Sequence, residues 1–284
     1  MQTPEPGIYK DVSFPDYLSW DACSHSKLEN IRRSEAYCKY RMDTPRVETD
    51  AMKLGTAFHV AILEPANFTQ SYILRPEGNA AKLEKNGGCK EAYDEAKATG
   101  KVLLKGEEFT GCIEVADLIA QHSEFGPVLT AALAAGTTEL SCVADVDHVR
   151  VKVRFDCYDE STGTVLDIKK TVDATTPGFP REISKYGHHR QAALYQAVLK
   201  ALNLPVGPWW WAAIQSTPPW EMNPLQCSEE ALNLGHAQNE VLIRRYIHAV
   251  TNGSWPGFEN NIKSVGVAPW ETDDEDDFEL EDQG

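Results

Sequence analysis

The chain has 284 residues, of which 42% are hydrophobic and 25% are charged. This composition is typical of a globular protein, and the length suffices for one large α/β domain with a sizeable core. No apolar run approaches a membrane span, and the N-terminal MQTPEPGIYKDV has no basic region followed by an apolar core. We therefore expect no signal peptide, no membrane anchor and a cytoplasmic location.

The cysteines and the charges narrow the class further. The seven cysteines are odd in number and no two have C-x-x-C spacing, so disulfides and a zinc ribbon are not expected. The net charge of −16 argues against a generic DNA-binding surface. The charge is uneven, however: residues 271–284 carry nine Asp or Glu and no Lys or Arg, whereas residues 150–190 carry eight Lys or Arg against six Asp or Glu. Charge suited to a phosphate backbone is thus concentrated in residues 150–190.

The first 50 residues are predicted to form an arm and short helices that pack on the main domain. Residues 1–15 contain several Pro and Gly residues, which favours an extended arm. Ser26, with Glu29 three residues later, forms a capping-box pattern that predicts a helix start. Ser34 is a candidate cap for a second short helix.

Residues 51–64 predict a buried helix, because they are apolar nearly all round. Lys53, Thr56 and His59 form its only polar stripe, at positions i, i+3 and i+6. A lone histidine on such a helix is more often a hydrogen-bonded core residue than a ligand. The helix by itself therefore leaves the role of His59 open.

The next stretch is predicted to supply a loop, covering helices and one strand. Residues 77–101 are polar and predict a loop with a short helix over residues 90–98. Amphipathic patterns at residues 106–122 and 127–135 predict helices that cover a sheet. Residues 137–145 predict a strand that leads into a hairpin.

That hairpin is the centre of the sequence. Residues 149–156 alternate strictly between apolar and charged side chains, as in a half-buried strand, and a turn pattern at residues 159–163 precedes a second strand. If the polar faces of paired strands coincide, Asp156, Asp167 and Lys169 project from one side. Such a set is costly without a partner, and a divalent cation such as Mg²⁺ is a natural one.

Glu139 lies in the strand before the hairpin. A lone glutamate in a strand is usually solvated, but this strand is expected to pair beside the hairpin. Glu139 is therefore a candidate ligand of the same cation.

The remaining chain is predicted to close the domain. Residues 177–185 predict a loop with one helical turn, and residues 186–202 predict a helix with Gln191 and Tyr195 on one face, at i and i+4. The apolar strand at residues 208–215 contains three tryptophans that we expect in the core. Residues 229–250 predict a final amphipathic helix.

The spacing of the hairpin residues resembles a known motif. Phe-Asp, then ten residues, then Asp-Ile-Lys resembles the PD-(D/E)XK nuclease motif, with Asp156, Asp167 and Lys169 as its polar residues. The wider pattern resembles the phage-type RecE (exonuclease VIII) branch, relatives of lambda exonuclease and of the RecB nuclease domain. Its further matches are Gly-Thr-Ala-Phe-His at 55–59, Glu139, Gln191 and Tyr195, and Trp-Pro-Gly at 255–257. The proline that this family has before the first Asp is Phe155 here.

The resemblance implies a fold and a domain plan. The fold class is α/β (α+β), a restriction-endonuclease-like core with a central mixed β-sheet flanked by helices. Residues 51–268 would form the nuclease domain, residues 1–50 would pack on it, and residues 269–284 would be a disordered acidic tail.

The resemblance also implies a metal-dependent active site. Mg²⁺ is the expected cofactor, with Mn²⁺ as a substitute, and its ligands would be drawn from Asp156, Asp167, the Ile168 carbonyl, Glu139 and His59. Lys169 would orient or deprotonate the attacking water, while Gln191 and Tyr195 would position Lys169 or a phosphate. Some relatives hold an iron–sulfur cluster with one early and three late cysteines. Only Cys227 is late here, so no iron–sulfur cluster is expected.

The implied substrate is double-stranded DNA, contacted without sequence preference through phosphates. The candidate DNA-binding residues are Arg150, Lys152, Arg154, Lys185 and Arg190. By resemblance, the enzyme would degrade one strand of linear duplex DNA from its 5′ end and leave a 3′ overhang for recombination. Its partner would be a RecT/Beta-like single-strand annealing protein, its assembly a ring trimer or tetramer, and its location a bacterial or phage-infected cytoplasm.

Three alternatives stay open. An endonuclease or single-strand nuclease of the same fold is the nearest. A catalytically inactive DNA- or partner-binding module is less consistent with an intact Asp/Asp/Lys set. An acidic protein that mimics DNA through residues 271–284 is the third alternative.

Overall fold

Helices and strands fill most of residues 3–44, 49–76 and 90–266, which are the residues described by this computed structural model. In chain order the elements are β1 (Gly7–Tyr9), α1 (Phe14–Ser19), α2 (His25–Arg33), α3 (Glu35–Asp43), α4 (Asp50–Leu63), α5 (Pro65–Ser71), β2 (Tyr72–Leu74), α6 (Lys90–Thr99), β3 (Val102–Leu104), α7 (Gly106–Gln121), α8 (Phe125–Ala135), β4 (Thr138–Val146), β5 (Val149–Tyr158), β6 (Val165–Thr171), α9 (Phe179–Tyr186), α10 (His188–Ala201), β7 (Trp209–Gln215), β8 (Met222–Gln226) and α11 (Glu229–Asn252).

A six-stranded sheet forms the centre, with strand order β1-β4-β5-β6-β7-β8. Neighbouring strands are antiparallel, except that β6 and β7 run parallel. The parallel step requires a crossover, and α9 and α10 supply it. The prediction of a mixed sheet flanked by helices is therefore confirmed. Among the described residues, no helix is long and apolar enough to cross a membrane.

Helices cover both faces of the sheet and create two hydrophobic clusters. One cluster contains buried residues of α2, α10 and α11 together with Phe155 and Trp211 of the sheet. The other contains buried residues of α4, α7 and α8 together with Cys157 and Ile168. Trp209 and Trp211 are each 1% exposed, which confirms that these tryptophans belong to the core.

The N-terminal helices begin at serine caps, and one cap differs from the prediction. Ser34 accepts a hydrogen bond from the Tyr37 amide at 3.1 Å, as expected. The preceding helix is capped by Ser24, whose hydroxyl accepts from the Lys27 amide at 3.4 Å, and not by Ser26. Ser24 has the extended backbone that a cap needs, whereas Ser26 already lies inside the helix.

Two elements in the second half of the chain escape the sequence patterns. Residues 177–185, predicted as a loop with one helical turn, lie largely in the longer helix α9, and β8 was not predicted. The proline at position 224 made β8 hard to recognise as a strand in the sequence. Proline is tolerated there because β8 is the edge strand of the sheet. The six described cysteines are free and buried, as the odd count predicts. The acidic segment at residues 269–284 lies outside the described residues.

The packing of α11 on α10 depends on Gly235. A β-carbon at Gly235 would lie 2.5 Å from the backbone oxygen of His189, whereas one at Gly55, within α4, meets nothing within 4 Å. We expect Gly235→Ala to lower the free energy of unfolding by about 1–3 kcal/mol through overpacking. Gly55→Ala, the matched control, should raise it by about 0.5–1 kcal/mol through helix propensity. Urea denaturation would measure both, and equal effects would contradict this packing.

Candidate active site

The strands β5 and β6 separate after two residue pairs, and Asp156 lies where they part. Backbone pairing joins Cys157 to Leu166 and Tyr158 to Val165. Beyond these pairs, the Asp156 carboxylate replaces the backbone as the hydrogen-bond partner of β6. Its Oδ2 accepts a hydrogen bond from the Ile168 amide at 2.7 Å. We call this place the fork.

The fork also interrupts the alternation of β5. Phe155 and Cys157 have the same parity, yet Phe155 lies in the α10-side cluster and Cys157 in the α4-side cluster. The alternation predicted for residues 149–156 therefore holds as far as Asp156 and breaks only at Cys157, since a regular strand would place Phe155 and Cys157 on one face. The consequence is that Asp156 meets residues from the α4 side, while Asp167 meets residues from the α10 side.

On the α4 side, His59 meets two carboxylates. Its Nδ1 lies 3.6 Å from Asp156 Oδ1 and 3.8 Å from Glu139 Oε1. Its Nε2 lies 3.2 Å from the backbone oxygen of Ile168. One ligand atom from each of His59, Glu139 and Asp156 lies within 4.8 Å of the others. We call these three residues the ligand cluster, because one metal ion could be held among them.

The backbone of β4 turns Glu139 toward this cluster. Glu139 has φ of 51°, a left-handed conformation that is uncommon for residues other than glycine. The neighbouring pairs Thr138–Cys157 and Leu140–Phe155 place it opposite Asp156 in the register. Arg154 donates a hydrogen bond to Glu139 Oε2. One carboxylate oxygen is thus held by arginine, while Oε1 faces His59.

The carboxylates and the imidazole shift one another's pKa. Burial lowers the pKa of His59, but the charges of Asp156 and Glu139 outweigh burial and raise it to about 9. Burial raises the pKa of Asp156 to about 6, opposed by His59 and assisted by the charge of Asp167. Burial also acts to raise the pKa of Glu139, but His59 and Arg154 lower it overall. The protonated imidazole therefore balances excess negative charge, as a divalent cation would.

On the α10 side, Asp167 anchors Lys169. Asp167 is 2% exposed, and its Oδ2 lies 2.6 Å from Lys169 Nζ. The contact is an ion pair without hydrogen-bond geometry, because Oδ2 has no hydrogen-bond partner among the described residues. Gln191 donates from Nε2 to Asp167 Oδ1 at 3.2 Å. The Lys169 side chain remains 17% exposed, so its ammonium can reach a ligand.

Tyr195 contributes packing at this site. It is 8% exposed, and its ring packs edge-on against Phe155 at 5.1 Å and Trp209 at 5.6 Å between centroids. Burial raises the pKa of Tyr195 well above its usual value, and its hydroxyl interacts with the backbone of Arg154. These contacts support the strand that carries Asp156. None of these contacts involves Lys169, so they do not support the predicted role of Tyr195 in positioning Lys169 or a phosphate.

The predicted basic face of β5 is used inside the protein. Lys152 is 5% exposed, and its Nζ donates to the backbone oxygens of Tyr17, Leu18 and Trp20 at 2.8, 3.1 and 2.6 Å. Arg150 Nε donates to Asp145 Oδ1 at 2.6 Å, and Arg154 binds Glu139. The prediction that Lys152 contacts DNA is wrong, because its ammonium is buried and satisfied. Arg150 and Arg154 likewise have internal partners.

Arg190 and Lys185 differ in the same respect. Arg190 is 4% exposed and pairs with Glu29, and its Nη1 donates to Gln238 Oε1 at 2.8 Å. The prediction of a DNA contact is therefore wrong for Arg190 as well. Lys185 is exposed and lies 4.8 Å from the centroid of the Tyr186 ring, so it stays available.

Arg154 and His188 are the residues whose place at the site the sequence reasoning missed. The sequence suggested Arg154 as a DNA contact, but the strand register sets it across from Ser141 and beside Glu139. That register could have been inferred from the predicted pairing of the two strands. His188 lies one helical turn before Gln191, and only its spacing in the helix could have indicated its proximity to Lys169.

The comparisons with known proteins agree with this geometry. Residues 24–265 match a family model described as "PDDEXK-like domain of unknown function (DUF3799)". The chain belongs to this PDDEXK-like family. The expected membership of the PD-(D/E)XK superfamily is thus confirmed. No curated protein matches the sequence significantly.

Two solved structures resemble the chain in fold. One is a Eubacterium rectale protein provisionally described as an exonuclease, with 13% identity and a TM-score of 0.58, covering 93% of this chain and 98% of that one. The second is a phage-related exonuclease from Haemophilus somnus, with 10% identity and a TM-score of 0.30, covering 74% of this chain and 98% of that one. At these identities the first match supports the fold alone, and the second is too distant to support any argument.

The ligand cluster predicts a measurable metal effect. We expect Mg²⁺ or Mn²⁺ to raise the free energy of unfolding relative to EDTA, by about 2.7 kcal/mol at a metal concentration of one hundred times Kd. Asp156→Asn should abolish most of this shift, because it removes a ligand charge while retaining an oxygen toward the Ile168 amide. Asp145→Asn, in the same sheet but paired with Arg150, is the control and should keep the shift. Calorimetric titration of the metal would check both variants, and an unchanged Asp156→Asn would refute the site.

Arg190 and Lys185 form a second matched pair. Arg190→Met should lower the free energy of unfolding by about 3 kcal/mol, because it removes a buried partner of Glu29. Lys185→Met should change it by less than about 0.5 kcal/mol, since the side chain is exposed. Denaturant unfolding of the two variants measures the difference. Equal stabilities would show that the Arg190 ion pair does not support the fold.

Proposed function

We propose that this chain is a divalent-metal-dependent nuclease that hydrolyses phosphodiester bonds of DNA. The observation that carries the proposal is the fork, which brings the ligand cluster next to the Asp167–Lys169 pair. Membership of the PDDEXK-like family supports the same chemistry. A cation site beside an anchored lysine can supply the water activation and the charge neutralisation that promote cleavage of a phosphodiester.

The residues present suit Mg²⁺ or Mn²⁺. His59, Glu139, Asp156 and the carbonyl of Ile168 would hold the ion, with Asp167 close by. When bound, the ion would neutralise phosphate charge and favour ionisation of water. Carboxylate and carbonyl oxygens suit Mg²⁺, and the imidazole makes Mn²⁺ a good substitute. His59 must lose its proton before it can ligate, so metal uptake would release protons.

Lys169, held by Asp167, would act directly on the attacking water or on the phosphate. Asp167 holds the Lys169 ammonium at 2.6 Å, and Gln191 holds the other oxygen of Asp167, which limits the motion of both groups. An ammonium fixed in this way can donate to the attacking water or to a phosphate oxygen. Because Asp167 is nearly fully buried, water does not screen the Asp167–Lys169 ion pair on the Asp167 side.

The finer assignment follows from the motif resemblance. We infer a RecE-like exonuclease that degrades linear duplex DNA from the 5′ end and leaves 3′ overhangs for a RecT/Beta-like annealing partner in recombination. A ring trimer or tetramer around DNA and a cytoplasmic site of action belong to the same inference. The Eubacterium rectale protein, which shares the fold, is itself provisionally described as an exonuclease.

The decisive test is cleavage of linear and of covalently closed circular duplex DNA, with Mg²⁺ or with EDTA. We expect the linear form alone to be degraded, and only with metal. Asp167→Asn and Lys169→Met should each reduce the rate at least about 10²-fold. The matched control is Lys170→Met, since Lys170 has the strand parity of Ile168 and so lies on the opposite face from Lys169. Thermal unfolding of each variant would show that the fold is retained.

The alternative outcomes have distinct meanings. Cleavage of closed circles would indicate an endonuclease, and preference for single strands would indicate a single-strand nuclease of this fold. Substrates labelled at the 5′ or the 3′ end would report polarity. DNA binding without any cleavage under these conditions would overturn the proposal in favour of a binding module.

A further inference from the structure

Three rings form a stack that runs from the core to the surface beside Lys169. Phe179 is fully buried, and its ring stacks on the imidazole of His188 with centroids 5.9 Å apart and an interplanar angle of 21°. The ring of Tyr186 stacks on the same imidazole at 5.9 Å and 29°. Tyr186 is 49% exposed. The stack therefore has a buried inner end and an open outer ring.

The stack lies close to the reactive groups. His188 and Gln191 are three positions apart in α10, so they share a face and lie about 4.5 Å apart along the helix axis. Gln191 contacts Asp167, which holds Lys169. Burial, and next the charge of Lys169, lower the pKa of His188 to about 2. The imidazole is consequently neutral and stacks near the ammonium without charge repulsion.

The turn that carries Tyr186 is packed closely against Glu29 of α2 and Arg190 of α10. Gly187 adopts φ of +74°, and a β-carbon there would lie 2.5 Å from Glu29 Oε1 and 2.6 Å from Arg190 Nη2. The Tyr186 backbone also interacts with His25, whose side chain lies at the start of α2. The Glu29–Arg190 ion pair therefore packs directly against the turn. A ring on such a support loses little conformational entropy when a ligand stacks on it.

A lysine lies against the ring of Tyr186. Lys185 Nζ lies 4.8 Å from the ring centroid, and Lys185 is exposed. An aromatic ring with an adjacent lysine is the combination that single-stranded nucleic acid prefers, because the base stacks and the phosphate pairs with the ammonium. Lys185 is long and flexible, so it can leave the ring when a base arrives.

We propose that Tyr186 is a base-stacking site for an unpaired DNA base near the scissile phosphate, with Lys185 binding the adjoining phosphate. The proposal rests on the proposed nuclease function. It adds a specific expectation, namely that the strand being cleaved is unstacked at this point. The proposal also names a nucleobase as the kind of ligand that the half-exposed Tyr186 ring would bind.

Fluorescence of 2-aminopurine tests the stack independently of cleavage. Full-length protein in EDTA is titrated against single-stranded DNA that carries 2-aminopurine near its 5′ end. Wild-type protein should change the 2-aminopurine emission on binding, and Tyr186→Ala should lose this change and weaken binding about tenfold. Tyr186→Phe should behave as wild type, because it keeps the ring. The control Tyr40→Ala, which removes another exposed tyrosine, should have no effect.

The outcomes separate this proposal from the nuclease assignment. The stacking proposal would be overturned if Tyr186→Ala bound DNA and changed the 2-aminopurine emission as the wild type does. It would also be overturned if Tyr186→Phe lost the emission change as fully as Tyr186→Ala. Cleavage by the wild type in Mg²⁺ together with unaltered Tyr186→Ala would leave the nuclease intact and remove the stacking site. An emission change that depends on Tyr186, without cleavage, would support the stacking site and remove the nuclease. Unchanged unfolding midpoints would show that the variants remain folded.

Discussion

The site depends on one hydrogen bond, from the Ile168 amide to the Asp156 carboxylate. It stands where a ladder bond between β5 and β6 would otherwise form, and so it lets the strands part without leaving the amide unsatisfied. The same carboxylate faces His59 through its other oxygen. One side chain therefore both maintains the sheet and opens the site.

Around this bond, buried and partly buried charges are arranged in two balanced groups. The ligand cluster contains two carboxylates and one imidazole, and Arg154 secures Glu139 from the other side. The Asp167–Lys169 pair forms a second group next to it. Unpaired charges are costly in a protein interior, so each group is stable only while its partners stay in place. This mutual dependence explains why the cluster suits a cation, which can take over the balancing role of the His59 proton.

The basic side chains of β5 serve the fold in a way that their pattern conceals. Lys152 donates to three backbone oxygens at the C-terminal end of α1, where the helix dipole is negative. Arg150 and Arg154 reach the N-terminal segment as well, through the oxygens of Pro4 and Val12. The N-terminal arm is thereby fastened to the strand that carries Asp156. Fewer positive charges near the site are therefore free to contact DNA than the number of Lys and Arg residues suggests.

Local periodicity was enough to predict much of this molecule. Because a helix and a strand impose fixed spacings, the sequence by itself determined the helix that presents His59, the strand that presents Asp167 and Lys169 on one face, and the helix face of Gln191. Contacts between distant segments follow no such spacing. The pairing of Glu29 with Arg190 joins residues 161 positions apart, and the separation of β5 from β6 at Asp156 depends on what packs on each face. Only the tertiary structure decided which charges are left to meet a ligand, because burial and partnership are properties of the assembled chain and not of any one segment.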